Sequence, residues 1–494
     1  MNGSESAGSA IWVSSVGLDA EQLRAAVDSA VAQVPHEDVV VVGRHGEAET
    51  VGRASGVMVV DDDGASLSAL LASSSAKAII VLRWGTLAPG AVTEIEAFLR
   101  NNVGVDVIYG DSVTSNGAPL FRPLFSPIRL RSNDYLGPVV AIRIHVLKAI
   151  GGIDRHAARS HVLEVALRAH DAGSVISLLP VVIAREDLAF NDFSDTVEAQ
   201  RAAVGRYLAA KGVDARIEEV APFVRRIRYD VVGAPLVSIV IPTRGGSAVI
   251  AGGDRVLVVE AVRGIIERST YRHLQFVIVA DLDTPVAVIE ELEVMCGDAL
   301  RLIAWTDEFN FSAKMNRGVL AADGEYVVLL NDDVELVSPD WIETMVGLAQ
   351  QDGVGIVGAM LYFEDSTLQH AGQVYVGAVA GHAAFGWPGG QNDSIMSLSV
   401  DHEVSGVTAA CALMRRDLFL ELGGFTLALP GNYNDVDLNM KVRTAGYSAV
   451  FSPWVRLYHF ESKSRDPKIL DSDLLTLQAR WAGLMQVEMY SRML

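Results

Sequence analysis

A short apolar run that ends in two carboxylates constrains the fold of this chain more than any other segment. Residues 325–330 read Glu-Tyr-Val-Val-Leu-Leu, which is typical of a buried strand in a parallel sheet. Asn331-Asp332-Asp333 follows where that strand must end, and Ser338-Pro339 then predicts the cap and first position of a helix. The carboxyl ends of such strands border the ligand crevice of open α/β sheets. Carboxylates there suit Mg²⁺ or Mn²⁺ beside a phosphate group, although a solvated turn gives the same pattern.

Composition narrows the class of protein and of partner. The chain has 494 residues, half of them apolar, which is enough for two or three domains with full cores. Its formal net charge of −21 argues against nucleic-acid binding and against simple electrostatic adhesion to anionic membranes. Two cysteines, Cys296 and Cys411, make a reducing compartment the default. No signal peptide or membrane-length apolar run is recognisable, so we expect a soluble cytoplasmic protein.

Strand and helix patterns alternate along the chain, which favours an α/β architecture. The pattern restarts near Pro235, where residues 236–241 form a second buried first strand. These features predict a first domain over residues 1–220, a join over 221–235 and a second domain over 236–494.

Landmarks recur in the same order in the two halves. The strand at 78–82 corresponds to the one at 326–330, Gly151-Gly152 to Gly423-Gly424, and Ala172-Gly173 to Ala445-Gly446. Chance would also give some shared patterns, but the common order favours a diverged duplication.

The differences between the halves carry the functional information. Arg83-Trp84-Gly85 stands where the second half has its acidic triad, and Val162 stands opposite Asp435. We therefore expect a first half without catalytic activity. The second half also has extra residues around 369–393, rich in Gly and His, which we interpret as a substrate-covering loop.

Four segments of the second half are placed to converge on one crevice. Thr243 closes the first strand, Asp281 closes the strand over 276–280, and the acidic triad closes the third. Asp281 is suited to accept an N–H from a base such as uracil or thymine, with a helix cap as the alternative. Asp435 falls at the start of a helix, whose dipole favours the ionised form that a general base requires; a capping role fits equally well. His459 is a further candidate metal ligand, although a histidine beside aromatic residues is more often structural.

Taken together, these motifs resemble the inverting glycosyltransferases of the GT-A fold, family two, and especially the rhamnosyltransferase-like bacterial enzymes of cell-surface polysaccharide synthesis. The segments that carry the resemblance are 237–244 (Val-Ser-Ile-Val-Ile-Pro-Thr-Arg), 309–313 (Phe-Asn-Phe-Ser-Ala), 330–335 (Leu-Asn-Asp-Asp-Val-Glu), 369–372 (Gln-His-Ala-Gly), 423–425 (Gly-Gly-Phe), 434–438 (Asn-Asp-Val-Asp-Leu) and 459–465 (His-Phe-Glu-Ser-Lys-Ser-Arg). The resemblance implies two tandem GT-A-like domains with mostly parallel sheets, the first of them degenerate.

The resemblance also implies roles for individual residues. Asp333 and His459 would bind Mg²⁺ or Mn²⁺, and Asp435 would be the catalytic base. Contacts with the donor would come from the following residues: Pro242, Thr243, Arg244, Asp281, Asn316 and Asp332. The sequence departs from the family pattern in two places. Leu282-Asp283-Thr284 in place of Asn-Gly-Ser leaves the base preference open, and a longer stretch at 245–254 leaves the neighbouring nucleotide contacts open.

The implied substrates are a nucleotide-diphosphate sugar, UDP- or dTDP-linked, and a glycan or lipid-linked acceptor. A homo-oligomer is compatible with the sequence. An apolar stripe on a C-terminal helix around 478–489 suits either core packing, which is the commoner case, or docking on the inner face of the cell membrane. One alternative is a non-catalytic glycan-binding or scaffold protein. Another is a nucleotidyltransferase, which requires a Gly-rich, Arg-containing phosphate loop, of which Gly245-Gly246 is only a trace.

Overall fold

The computed structural model describes residues 8–43, 46–154, 160–186, 194–250, 252–460 and 471–490. Glu461 to Arg465, the end of the last family-like motif, lie outside the described residues. The chain forms two compact units, Met1–Ile227 and Arg228–Leu494. This division falls inside the predicted join at 221–235, within the strand Val224–Tyr229. The predicted domain limits stay a prediction.

The first unit is built on one large sheet and a small hairpin. Its strands are β1 (Ser9–Ser14), β2 (Val39–Val42), β3 (Met58–Val60), β4 (Ala78–Leu82), β5 (Thr86–Leu87), β6 (Val107–Thr114), β7 (Pro119–Leu120), β8 (Val139–Arg143), β9 (Ile176–Glu186), β10 (Ala215–Ala221) and β11 (Val224–Tyr229). Its helices are α1 (Ala20–Val31), α2 (Glu47–Ser55), α3 (Gly64–Ser73), α4 (Ala91–Asn101), α5 (Pro127–Ser132), α6 (Ile144–Ala149), α7 (His161–Asp171) and α8 (Ser194–Ala210). Apolar runs such as Val39–Val42 are fully buried because helices cover the sheet.

The second unit repeats this plan with two added hairpins. Its strands are β12 (Val237–Thr243), β13 (Ser247–Ile250), β14 (Gly253–Val256), β15 (Leu274–Asp281), β16 (Leu300–Trp305), β17 (Tyr326–Leu330), β18 (Val334–Leu336), β19 (Val354–Tyr362), β20 (Leu368–His370), β21 (Gln373–Val376), β22 (Val379–His382), β23 (His402–Val404), β24 (Cys411–Arg415) and β25 (Ser448–His459). Its helices are α9 (Leu257–Arg268), α10 (Val286–Cys296), α11 (Phe311–Ala321), α12 (Trp341–Ala349), α13 (Arg416–Glu421), α14 (Asn434–Thr444) and α15 (Asp471–Trp481).

The two large sheets have the same topology. The first has the order β3-β2-β1-β4-β8-β6-β9-β5, with β7 on β6; the second has β16-β15-β12-β17-β24-β19-β25-β18, with β20 on β19. Among the described strands, only β23, which pairs with β25, has no counterpart in the first sheet. Strands at matching positions also match in direction. In each sheet four parallel strands are followed by an antiparallel one, which is β8 in the first sheet and β24 in the second. The predicted fold class, tandem Rossmann-like α/β units, is confirmed. That the first half is a decayed copy stays a prediction, supported by this shared topology.

Two segments differ from their predicted form. The stretch at 369–393 is not a plain loop, since it contains β20 and the hairpin β21–β22, in which Gln373 pairs with His382. The longer stretch at 245–254 likewise forms the hairpin β13–β14. Both hairpins lie outside the strand order that the two units share, so they are additions to the plan.

The C-terminal helix also differs, since α15 begins and ends earlier than predicted and a 3₁₀ turn follows at Ala482–Leu484. The chain leaves the helix because the residues that follow bind the added hairpin: the N–H of Ala378 donates to the carbonyl of Met485 at 3.1 Å. Leu477 and Met485 are fully buried against Val436 and Met440 of α14, which confirms the core-packing interpretation for these two side chains.

Candidate active site

A cleft of about 980 Å³ opens at the carboxyl ends of β12, β15 and β17. Its walls come from these strand ends, α11, the hairpin β21–β22, the start of α14 and the end of β25. The predicted site residues that line it are Pro242, Thr243, Arg244, Asp281, Asp332, Asp333, Asp435 and His459. The structure thus brings together eight of the nine side chains predicted from the sequence.

Asp333 and His459 face each other in this cleft. Val334 of β18 pairs with His459 at the end of β25, which places His459 Nε2 3.1 Å from Asp333 Oδ1. His459 Nδ1 lies 2.7 Å from Gln369 Oε1, an atom that only accepts hydrogen bonds, so Nδ1 carries the proton. In the neutral ring, Nε2 therefore presents a lone pair, to which Asn331 Nδ2 donates at 3.0 Å.

This arrangement fits a divalent cation. A carboxylate oxygen and an imidazole lone pair repel each other unless positive charge lies beside them. Both side chains are buried, and the contact from Gln369 orients the ring as such contacts orient histidine ligands in metal sites. Among the residues that the structure describes, no group of three or more His, Cys, Asp or Glu side chains could hold a metal. A cation held by Asp333 and His459 would therefore need oxygens from substrate phosphates and water, as Mg²⁺ commonly does.

Asp332 is held in place by Thr243, at the end of the first strand of the second unit. Thr243 Oγ1 donates to Asp332 Oδ2 at 2.6 Å. Burial, followed by the charge of Asp333, raises the pKa of Asp332 to about 6, while the hydrogen bond from Thr243 and the charge of Lys314 act in the opposite direction. A bound cation would likewise favour the ionised form.

Lys314 is a site residue that the sequence did not reveal. It lies on α11 and is 2% exposed, and its Nζ donates to the carbonyl of Thr243 at 3.1 Å and to Asp281 Oδ1 at 2.7 Å. The available signal was a lysine next to Met315 on the buried face of a helix, since buried lysines are rare without a partner. Lys314 thus ties the ends of β12 and β15 together, and the predicted role of Asp281 toward the base stays a prediction.

Asp435 is the second residue of α14. Tyr433, with φ of 58°, turns the chain into the helix, and Asp435 Oδ1 accepts the N–H of Val436 at 2.8 Å. The first-turn N–H groups and the helix dipole favour a negative charge at this position. Asn439 Nδ2 donates to the carbonyl of Asp435 and to that of Val407, both at 2.7 Å, which anchors the first turn to the segment between β23 and β24.

A comparison with known families decides the class of protein. The family model "Glycosyltransferase like family 2" matches residues 234–483, which is half of the chain. The chain belongs to this family. Membership confirms the enzyme class that the motifs predicted, and the matched residues contain the whole described cleft.

Two curated relatives are similar in sequence to parts of this chain. "Uncharacterized protein y4gI" of Sinorhizobium fredii (strain NBRC 101917 / NGR234) is 39% identical over 276 residues, covering 54% of this chain and 29% of the relative. "O-antigen biosynthesis protein RfbC" of Myxococcus xanthus is 31% identical over 400 residues, covering 77% of this chain and 30% of the relative. The chain therefore spans less than a third of the length of either relative.

Two solved structures show weaker likeness. GalNAc-T7 with UDP, GalNAc and Mn²⁺ matches with 14% identity and a TM-score of 0.41, over 58% of this chain and 56% of that one. The mannosyltransferase PcManGT from Pyrobaculum calidifontis, in complex with GDP-Man and Mn²⁺, matches with 18% identity and a TM-score of 0.35, over 52% and 72%. At these TM-scores the likeness carries no functional argument. In the described part of this chain, no helix is long and apolar enough to cross a membrane.

Asn316 is the one predicted donor contact of this family member that the structure does not place in the cleft. Its Nδ2 donates to the carbonyl of Phe425 at 2.9 Å, and its Oδ1 accepts the N–H of Phe425 at 2.8 Å. Both ends of the side-chain amide are therefore used to fix the loop after Gly424 on α11. We do not carry Asn316 into the proposed site.

The corresponding edge of the first unit is closed by an ion-pair network. Trp84 Nε1 donates to Glu186 Oε2 at 2.9 Å, and the same carboxylate is paired with Arg122. Gly85, in the position of Asp333, has φ of +70°, and a Cβ there would lie 2.3 Å from the carbonyl oxygen of Arg185. Val162, opposite Asp435, is buried as the second residue of α7. The backbone at Gly85 thus leaves no room for an acidic side chain at the position of Asp333, and the carboxylate of Glu186 is already paired with Arg122.

Proposed function

We propose that the second unit is a metal-dependent, inverting glycosyltransferase that moves a sugar from a nucleotide-diphosphate sugar to a hydroxyl group. The observation that carries the proposal is the pair formed by Asp333 and the oriented lone pair of His459, in the cleft that also contains Asp435. A cation-binding pair and a carboxylate base in one cleft are what a direct displacement at an anomeric carbon requires.

Asp435 is the base of the proposed reaction. As the acceptor oxygen forms its bond to the anomeric carbon, the bond from that carbon to the diphosphate oxygen breaks and the hydroxyl proton passes to the Asp435 carboxylate. Attack from the face opposite the leaving group inverts the anomeric configuration. A positioned base typically contributes about 10²–10⁴-fold to the rate.

Asp333 and His459 are the residues that would hold Mg²⁺ or Mn²⁺. When bound, such an ion stabilises the negative charge of the departing diphosphate, an effect worth several kcal/mol. Gln369 keeps His459 in the ligand tautomer, and Thr243 keeps Asp332 in place beside it. These protein contacts fix the donor side of the cleft before the substrate arrives.

Pro242, Thr243, Arg244 and Asp281 would bind the nucleotide, which we expect to be UDP or dTDP. The acceptor would be a glycan or a lipid-linked sugar of a cell-surface polysaccharide, a proposal supported by the printed name of the Myxococcus xanthus relative. Such a reaction suits the cytoplasmic side of the cell membrane. We further propose that the first unit is a non-catalytic copy, because the equivalent edge of its sheet is closed by Trp84 and Glu186.

Donor hydrolysis by the purified chain tests the proposal. UDP-, dTDP- and GDP-sugars are supplied with Mn²⁺ or Mg²⁺, and then with EDTA, and the nucleotide diphosphate released is measured. We expect slow release from one donor that EDTA abolishes. Absence of release and of metal-dependent nucleotide binding would instead favour the non-catalytic glycan-binding alternative.

A further inference from the structure

Adjacent residues of β20 each contact a histidine that lines the cleft. Gln369 binds His459, which has a role in the proposed function, and His370 binds His382 at the end of β22. His382 has no assigned role. The contacts of His370 determine which nitrogen of His382 carries its proton.

His370 is fully buried and neutral. The backbone N–H groups of Gly372 and Thr408 point at its Nε2 from 3.3 and 3.2 Å, and because an amide N–H only donates, Nε2 must accept. Burial, followed by the nearby His382 and His459, holds the pKa of His370 well below its usual range. A neutral ring that accepts at Nε2 carries its only N–H at Nδ1.

That N–H fixes the state of His382. His370 Nδ1 lies 2.6 Å from His382 Nδ1, so His370 donates and His382 accepts. A neutral imidazole that accepts at Nδ1 carries its proton on Nε2. The two rings meet edge to face, with centroids 4.9 Å apart and planes at 81°. His382 is thereby held on the cleft wall as a hydrogen-bond donor, whereas His459 presents an acceptor at its Nε2.

The wall that carries His382 is built against the helix that carries Asp435. Tyr375 of β21 packs in one buried cluster with Val436 of α14, and its hydroxyl donates at 2.6 Å to Gln373, the residue paired with His382 across the hairpin. Val436 directly follows Asp435, and both His382 and Asp435 line the cleft, so the hairpin lies beside the proposed base. If Asp435 is the base, the attacking hydroxyl lies next to this wall.

Phe385 completes this wall. Its side chain is 58% exposed, lines the cleft and lies with its ring centroid 6.2 Å from that of His382. Phe363 packs against it edge to face, with centroids 5.4 Å apart and planes at 90°, which fixes one edge of the ring. An exposed aromatic face beside an oriented N–H donor combines apolar contact with hydrogen bonding, as binding pockets do. The apolar C–H face of a pyranose matches the aromatic ring, and its hydroxyl oxygens match the N–H donor.

We propose that His382 and Phe385 form the acceptor subsite and that the group bound there is a sugar ring. His382 Nε2–H donates to an oxygen of this sugar, and Phe385 packs against its apolar face. This inference rests on the proposed function and narrows its acceptor from a glycan or lipid-linked group to a carbohydrate that sits next to Asp435.

The ratio of transfer to hydrolysis tests the subsite. The full chain is given the donor that it hydrolyses, with a panel of methyl glycosides of common bacterial sugars as acceptor probes. Loss of one hydrogen bond in His382→Ala should lower transfer about 3- to 10-fold while donor hydrolysis is retained. His382→Gln, which keeps a donor N–H, should recover part of the lost transfer rate. Phe385→Ala should raise the KM for the glycoside, and Val379→Ala, an exposed position of the same hairpin outside the cleft lining, should change neither rate.

A second measurement does not depend on activity. Nitrogen-15 NMR of the histidine rings should show His382 with an unprotonated Nδ1 and a protonated Nε2, and His370→Asn should remove this fixed pattern. A wild-type transfer-to-hydrolysis ratio in His382→Ala and Phe385→Ala would overturn the subsite. Transfer by the wild-type chain to a polyprenyl phosphate but to no glycoside would overturn the sugar class. Absence of all donor hydrolysis would refute the proposed function instead.

Discussion

Replacing Gln369 by alanine should weaken metal binding without touching a metal ligand. Gln369 Oε1 accepts from His459 Nδ1 at 2.7 Å, and its Nε2 donates to the carbonyl of His459 at 3.4 Å. Without this partner the ring is free to rotate and to carry its proton on Nε2, the nitrogen that faces Asp333. Loss of a hydrogen bond that orients a histidine ligand typically costs about 10–100-fold in metal affinity, and we expect that range for Gln369→Ala.

The assay is a Mn²⁺ titration of donor hydrolysis at fixed donor concentration, complemented by calorimetric titration of Mn²⁺ in the presence of the nucleotide diphosphate. The concentration of Mn²⁺ at half-maximal rate should rise, and the rate at saturating metal should recover most of its wild-type value. Gln369→Glu is the matched control, because its carboxylate still accepts from Nδ1 and preserves the tautomer. Unchanged metal affinity in Gln369→Ala, or equal losses in both variants, would show that Gln369 does not set the tautomer of His459 for metal binding.

Three further predictions concern buried charges. Lys314→Met leaves the partly exposed Asp281 without its cation and should lower the free energy of unfolding by about 1–3 kcal/mol in urea denaturation; an unchanged midpoint would contradict this. Burial is the largest influence on the pKa of Asp437 and raises it, but hydrogen bonds and the charge of Lys441 together bring this pKa below its ordinary value. The ionised Asp437 therefore stabilises the fold above about pH 4, and this contribution is lost as the pH falls. Unfolding measured from pH 3 to 7 should therefore depend less on pH in Asp437→Asn than in the wild type, and equal slopes would argue against it. Arg83→Ala and Trp84→Ala should destabilise the first unit, because Asp134 or Glu186 loses a buried partner, yet leave donor hydrolysis unchanged; a large loss of turnover in folded protein would show that the first unit takes part in the chemistry.

The sequence predicted the elements whose signals are local. The run at 325–330 became β17 at Tyr326–Leu330, and Asp332, Asp333 and Asp435 reached one cleft because strand ends and helix starts meet at the same edge of an α/β sheet. The start of α12 was placed two residues too early, with Ser338 as its cap. Ser338 Oγ instead accepts the N–H of Arg456 at 3.2 Å, so a tertiary contact replaced the local one.

The hairpin β21–β22 was missed because its turn is unusual. Gly377 and Ala378 both have positive φ, 57° and 64°, as a two-residue turn of type I′ requires, whereas the sequences that signal such a turn are Asn-Gly or Asp-Gly. The contact of Ala378 with Met485, more than a hundred residues later, helps to hold the turn and has no local signature. Lys314 was missed for a related reason, since its partners Thr243 and Asp281 come from distant segments.

The Asp435→Asn variant tests the central claim most directly. Turnover of the hydrolysed donor is measured together with its binding in the presence of Mn²⁺. Asparagine keeps the size of the side chain and its acceptor oxygen toward the N–H of Val436, but it cannot take up the acceptor proton. We expect turnover to fall by about 10²–10⁴-fold while donor affinity stays within a few-fold of the wild type. Near-normal turnover in the folded variant would remove Asp435 from the mechanism and contradict the assignment of this cleft as a glycosyl-transfer site.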